Sequence, residues 1–185
     1  MNEEIERRIQ NAKAYFGLLK HFKSRILTRE TKCNLYKTLI KLVLLYGGET
    51  WTLTRPQMQR LRSFENNILR KIYGPICEEG IWRIRYNFEL YQLYKSPDVV
   101  TSVKISRLRW LGHVQRMGEL DIPKKIMESK FEGRRRAGRP RLCWIDGALE
   151  DLSRLRVKGW WNVAKDRDAW RRILREAEAQ SGLWS

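Results

Sequence analysis

Ser96-Pro97-Asp98-Val99-Val100-Thr101-Ser102-Val103-Lys104-Ile105-Ser106-Arg107-Leu108-Arg109-Trp110-Leu111-Gly112-His113-Val114-Gln115-Arg116-Met117 is the stretch on which the fold turns. Ser96-Pro97-Asp98 is a helix-start signal, and the apolar spacing behind it predicts a helix running to about Met117. Val100, Val103, Leu111 and Val114 share one face and are expected in the core. Ser102, Ser106, Arg109, His113 and Arg116 share the opposite face. Small hydroxyls, two guanidiniums and an imidazole suit a phosphate backbone, and they equally suit plain solvation. His113 alone is expected to serve as a structural hydrogen-bonding residue. Lys104 and Arg107 interrupt the apolar face, and the sequence offers no reason for them.

Outward from this helix the chain keeps helical spacing. Ile5, Ile9, Ala12, Phe16 and Leu19 predict a first helix over about 3–22. A second is predicted over 29–46, with Thr28 as N-cap and Gly47-Gly48 as its end. Thr54-Arg55-Pro56-Gln57 reads as a capping box with Pro in the first turn. The helix it opens carries Met58, Leu61, Ile68, Leu69 and Ile72 on one face and stops at Gly74-Pro75. Residues 76–86 give no clear pattern. Gly118 to Pro123 is read as a break, and Lys124 to Met127 as one helical turn. Ile145, Ala148, Leu149, Leu152 and Leu155 mark a further amphipathic helix, and a last one is predicted over 162–179. The fold class is therefore mainly α.

The composition narrows the function. Of 185 residues, 38 are Lys or Arg and 21 Asp or Glu, a net charge of +17. Such a surface attracts polyanions. The excess is +6 over residues 1–56, +6 over 57–118, +4 over 119–145 and only +1 over 146–185. It thus spreads over predicted helices, and the last helix is not expected to contribute to binding. Arg dominates from residue 60 onward, which favours nucleic acid over lipid. No apolar run is long enough for a membrane span and no secretory signal is visible, so a nuclear or cytoplasmic protein is expected. Cys33, Cys77 and Cys143 are widely spaced and are expected as reduced thiols.

Catalytic constellations are missing. His21 and His113 have no companion ligands, no Cys-x-x-Cys occurs, and no metal or other cofactor is expected. The acidic pairs Glu3-Glu4, Glu78-Glu79 and Glu150-Asp151 do not resemble a two-metal site, and Glu150 and Asp151 read as solvated charge. No phosphate loop or nucleophile elbow occurs. The chain is expected not to be an enzyme.

Binding is better represented. Lys130 to Arg141 reads KFEGRRRAGRPR and is expected as an exposed mobile loop offering Arg134, Arg135, Arg136, Arg139 and Arg141. Gly138-Arg139-Pro140-Arg141 resembles the Gly-Arg-Pro core of an AT-hook, with Ala137 departing from that pattern. A general phosphate-binding loop and a nuclear-import signal fit the same residues. Eight Trp residues are an excess. Most are expected in the core, and Trp82 and Trp110 are the two candidates for stacking on bases.

Four blocks occur in order: Leu44-Leu45-Tyr46-Gly47-Gly48-Glu49-Thr50-Trp51, Arg107-Leu108-Arg109-Trp110-Leu111-Gly112-His113-Val114, the Gly133 to Arg141 loop, and Asp166-Arg167-Asp168-Ala169-Trp170-Arg171. Together they resemble the C-terminal region of endonuclease–reverse transcriptase polyproteins of non-LTR (LINE-type) retrotransposons. The resemblance implies a helical thumb-like segment over 1–75 and a basic helical C-terminal domain over 76–185. It also implies RNA or DNA as partner, together with the polymerase core of a parent polyprotein. The Phe/Tyr-x-Asp-Asp motif of such polymerases is absent from this chain, as is the endonuclease domain. The expectation is a nucleic-acid-binding region without its own catalytic centre, with a transposon remnant or a protein-interaction module as the alternative.

Overall fold

The computed structural model describes residues 2–14, 17, 21–22, 24, 26–129 and 143–179. These form a mainly α protein, as the periodicity predicts. The chain folds into two compact units, Met1–Gly48 with Leu53–Ser102, and Glu49–Thr52 with Val103–Ser185. The division drawn from the sequence after residue 75 lies inside the first of them.

In the first unit, helix α1 (Asn2–Ala14) buries Ile5, Ile9 and Ala12. Phe16 and Leu19 lie outside the described residues. Helix α2 (Arg29–Leu35) opens at Thr28, whose side chain accepts the Thr31 N–H at 3.1 Å. It continues through a π-helical turn (Tyr36–Lys41) into α3 (Leu42–Leu45). Helix α4 (Arg55–Tyr73) has the expected Pro in its first turn, and the Thr54 N–H donates to Gln57 Oε1 at 2.8 Å. It buries Leu61, Ile68, Leu69 and Ile72 and ends at Gly74, with φ +71°.

The π turn has a visible reason. In an α-helix, residues five apart point about 140° from each other. The wider i→i+5 bonding of a π turn brings them closer to one face. Tyr36 and Lys41 are five apart, and both reach Glu65 of α4. The Tyr36 hydroxyl donates to Glu65 Oε1 at 2.8 Å, and Lys41 Nζ lies 3.7 Å from it. The Val99 N–H donates to Glu65 Oε2 at 2.8 Å. Burial pushes the Glu65 carboxyl above its usual range and the Lys41 ammonium below its own, each partly offset by the other's charge.

Residues 76–86, unassigned from sequence, include a small antiparallel hairpin. Strands β1 (Ile76–Glu78) and β2 (Ile81–Arg83) pair Ile76 with Arg83, Cys77 with Trp82, and Glu78 with Ile81. Glu79 and Gly80 make the turn with φ of +51° and +84°. Arg83 bridges Glu78 at 2.5 Å and Glu89 at 2.7 Å, and so ties the hairpin to helix α5 (Asn87–Tyr94).

Helix α6 (Val99–Gln115) is the stretch quoted first. Asp98 caps it, accepting the Thr101 N–H at 2.6 Å, and is held in turn by Arg62 Nε at 2.8 Å. The helix begins in the first unit and belongs to the second from Val103. Val100, Val103, Leu111 and Val114 are buried as expected.

The second unit adds α7 (Ile122–Glu128), α8 (Trp144–Arg154), α9 (Trp160–Lys165) and α10 (Arg167–Ala179). Ile105, Leu108 and Leu111 pack with Ala148, Leu152, Ala164, Trp170 and Leu174. The single last helix predicted over 162–179 is two, because Asp166 interrupts it. Its carboxylate accepts the N–H groups of Asp168 at 2.9 Å and Ala169 at 3.2 Å, which caps a new helix.

Asp151 is not the solvated charge expected. It is 2% exposed and is bonded by Arg107, with Lys104 Nζ 3.2 Å away. Arg107 also donates to the Gly147 carbonyl at 3.0 Å. The two cations that break the apolar face of α6 therefore meet one carboxylate from α8. A buried charge is tolerated when it is paired and hydrogen-bonded. Glu150 is exposed, as expected, and pairs with Arg154 at 2.9 Å.

The described Cys33, Cys77 and Cys143 are free thiols. Among the described residues no helix is long and apolar enough to cross a membrane.

Candidate functional site

Where α6 runs beside α10, the second unit has an open cavity of about 510 Å³. Beside it the two helices meet at a residue without a side chain. The Trp170 indole occupies the space above Gly112, and its Nε1 donates to the Leu108 carbonyl at 3.1 Å. Trp170 is 2% exposed, so this contact fixes α10 against α6.

The face of α6 singled out from the sequence lines the cavity with Ser106, Arg109, His113 and Arg116, and Trp110, the stacking candidate, lines it beside them. Ser102, one turn earlier, belongs to the first unit. Arg116 is oriented by a 2.7 Å hydrogen bond from Nη1 to the Ala164 carbonyl. Arg109 lies 3.7 Å from Glu178, an exposed pair. Trp110 is 40% exposed, and the His113 ring meets it at 5.4 Å with a 48° tilt.

The opposite wall holds residues that sequence reasoning passed over. Arg167 and Arg171 of α10 line the cavity, one turn apart, and Arg171 pairs with Asp168 at 3.1 Å. The last helix, not expected to contribute to binding because its segment carries only +1, brings these two arginines to the cavity. A net charge sums over all faces of a helix, whereas a site uses one. Glu49 is the carboxylate among the lining residues, placed by the bond from Trp144 Nε1 to its backbone carbonyl at 2.7 Å.

The electrostatics are one-sided. Burial, and then the positive charges of Arg167 and Arg171, hold the Arg116 guanidinium below its usual pKa. Four guanidiniums, an imidazole and a hydroxyl line the cavity with one carboxylate, so hydrogen-bond donors and positive charge dominate its walls. Among the described residues no three His, Cys, Asp or Glu side chains gather as metal ligands do.

The cavity thus unites Arg109, Trp110, His113 and Arg116 of the expected set. Trp82 sits elsewhere, on the hairpin of the first unit, 69% exposed. Arg134, Arg135, Arg136, Arg139 and Arg141 lie outside the described residues. Three of the four sequence blocks converge here: the first through Glu49, the second through Arg109 to His113, the last through Arg167 to Arg171.

No family model matches the chain, and no solved structure matches it. The chain is distantly related to a transposon-derived protein. That relative, an uncharacterised transposon-derived protein of Caenorhabditis elegans, is 25% identical over 184 residues, or 96% of this chain. The chain spans 66% of that relative's length.

Proposed function

We propose that the chain is a nucleic-acid-binding region of a LINE-type reverse transcriptase lineage, without a catalytic centre of its own. The observation that carries this reading is the convergence of Arg109, Arg116, Arg167 and Arg171 with Trp110 and His113 in one cavity. Guanidiniums bind phosphate bidentately, and aromatic rings among them stack bases. The transposon-derived relative supports the lineage. The sequence adds further basic residues in Arg134, Arg135, Arg136, Arg139 and Arg141.

The test is anisotropy titration of labelled RNA and DNA against salt. Binding through these arginines predicts a negative slope of log K on log salt, whose steepness drops by roughly 0.7 to 0.9 for each phosphate contact removed. Arg116→Ala with Arg167→Ala should reduce both affinity and slope. Unchanged values in that variant would refute the site. Primer extension with magnesium is expected to give no product.

A second role is favoured by the hairpin region, where Ile81, Trp82, Ile84 and Phe88 are exposed. Such a surface suits a protein partner, such as the polymerase core of a parent polyprotein.

A further inference from the structure

We infer that the α6–α10 cavity is a single-strand site, holding one unstacked nucleotide of RNA or DNA with its base on Trp110 and its neighbouring phosphates on Arg116, Arg167 and Arg171. The inference rests on the nucleic-acid reading above and adds which form of nucleic acid the site takes.

Shape is the first ground. The cavity is concave and measures about 510 Å³. That lies in the size range of pockets that hold one drug-sized ligand. A nucleotide is such a ligand. A duplex keeps its bases stacked and presents only base edges within its grooves, so it cannot lay a base face on the Trp110 indole.

The second ground is Trp110. The five other described Trp residues outside the hairpin are Trp51, Trp144, Trp160, Trp161 and Trp170, and of these only Trp161 is as exposed as Trp110. Trp110 stands in the cavity wall among arginines. His113 meets it at a 48° tilt rather than lying flat on it. Any base can stack on an indole, because every base has a π-face.

Charge is the third. Arg116 is already oriented by the Ala164 carbonyl, so little order is lost when it binds phosphate. Arg167 and Arg171 stand close enough to disfavour its charge. A phosphate between them relieves that repulsion. The pairs Arg171–Asp168 and Arg109–Glu178 are exposed on both sides, so a phosphate can replace either carboxylate at small cost.

The experiment uses the full chain with fluorescein-labelled ten-nucleotide RNA and DNA, single-stranded and as duplexes of the same sequence, at one ionic strength. The chain is expected to bind the single strands more tightly than the duplexes. Trp110→Ala should weaken single-strand binding about tenfold, in line with the loss of one stacked base. Trp110→Phe should restore most of it, and neither should change duplex binding. Circular dichroism checks that each variant is folded. If Trp110→Ala leaves single-strand affinity unchanged while Arg116→Ala lowers it, the single-strand inference fails and the nucleic-acid reading stands. Equal binding of duplex and single strand by the parent chain also overturns the inference. Absence of binding to any of the four probes overturns both.

Discussion

Gly112 lies directly beneath the Trp170 indole, so close that a Cβ at residue 112 would overlap the ring. The indole is also held from the side by its hydrogen bond to the Leu108 carbonyl. Gly112→Ala must therefore push α10 off α6. The expected loss is at the upper end of the overpacking range, about 3 kcal/mol. A thermal melt of the variant should show a lower transition, and the anion affinity of the cavity should fall with it. A variant as stable as the parent would mean that the helices are not in this contact.

Asp151 is the anion that Lys104 and Arg107 share inside the second unit. Asp151→Ala leaves two buried cations without it. Breaking a buried ion pair on one side costs roughly 3–5 kcal/mol. Urea unfolding should show that loss. Replacing all three by apolar residues of similar volume should recover most of it, since the desolvation cost then disappears as well.

Hydrogen bonds from Arg83, assisted by the Tyr86 N–H, hold the Glu89 carboxyl at a pKa of about 2, against an ordinary 4.5. The folded value lies below the unfolded one. The contribution is thus fully present above about pH 4.5 and is lost as pH falls from there toward 2. Carboxyl titration by NMR should find Glu89 still ionised at pH 3. In Arg83→Gln its midpoint should move up toward 4.5.

Glu178 faces Arg109 at 3.7 Å on an exposed surface. Removing this carboxylate frees a guanidinium at the cavity. Exposed pairs are worth about 0.2–1 kcal/mol, so Glu178→Gln should raise affinity for a nucleic-acid probe by about 1.5- to 5-fold. Anisotropy at low salt is the measurement, because screening hides the gain at high salt. A lower affinity in this variant would place the phosphates elsewhere.

Much of the helical frame was legible because its signals are local. Thr28, Thr54 and Asp98 cap helices through their own neighbours, and the buried face of α6 follows from spacing alone. The hairpin was hidden by its turn. Two-residue turns with both φ positive are usually announced by Asn-Gly or Asp-Gly, and here the first position is Glu79. The break at Asp166 was hidden inside an otherwise continuous helical pattern. Lys104 and Arg107 made no sense until Asp151, more than 40 positions away, was brought beside them. One wall of the cavity could be read from the α6 period. The other could not, because Arg167 and Arg171 are balanced along the chain by Asp166, Asp168, Glu176 and Glu178.

The π turn at Tyr36–Lys41 also bears on how this chain tolerates changes of length. A π turn holds about one residue more than the α-turn it replaces. Deleting one residue there would let the backbone close into ordinary α-helix with little local strain. The side chains beyond it would keep their faces, because the residue removed is the one the wide turn absorbs: Leu44 stays in the core, and Tyr36 and Lys41, then four apart, still share a face toward Glu65. The segment is therefore a buffer of chain length. A single-codon deletion is tolerable inside it, whereas the same deletion in the middle of α4 would rotate every later side chain of that helix by about 100°.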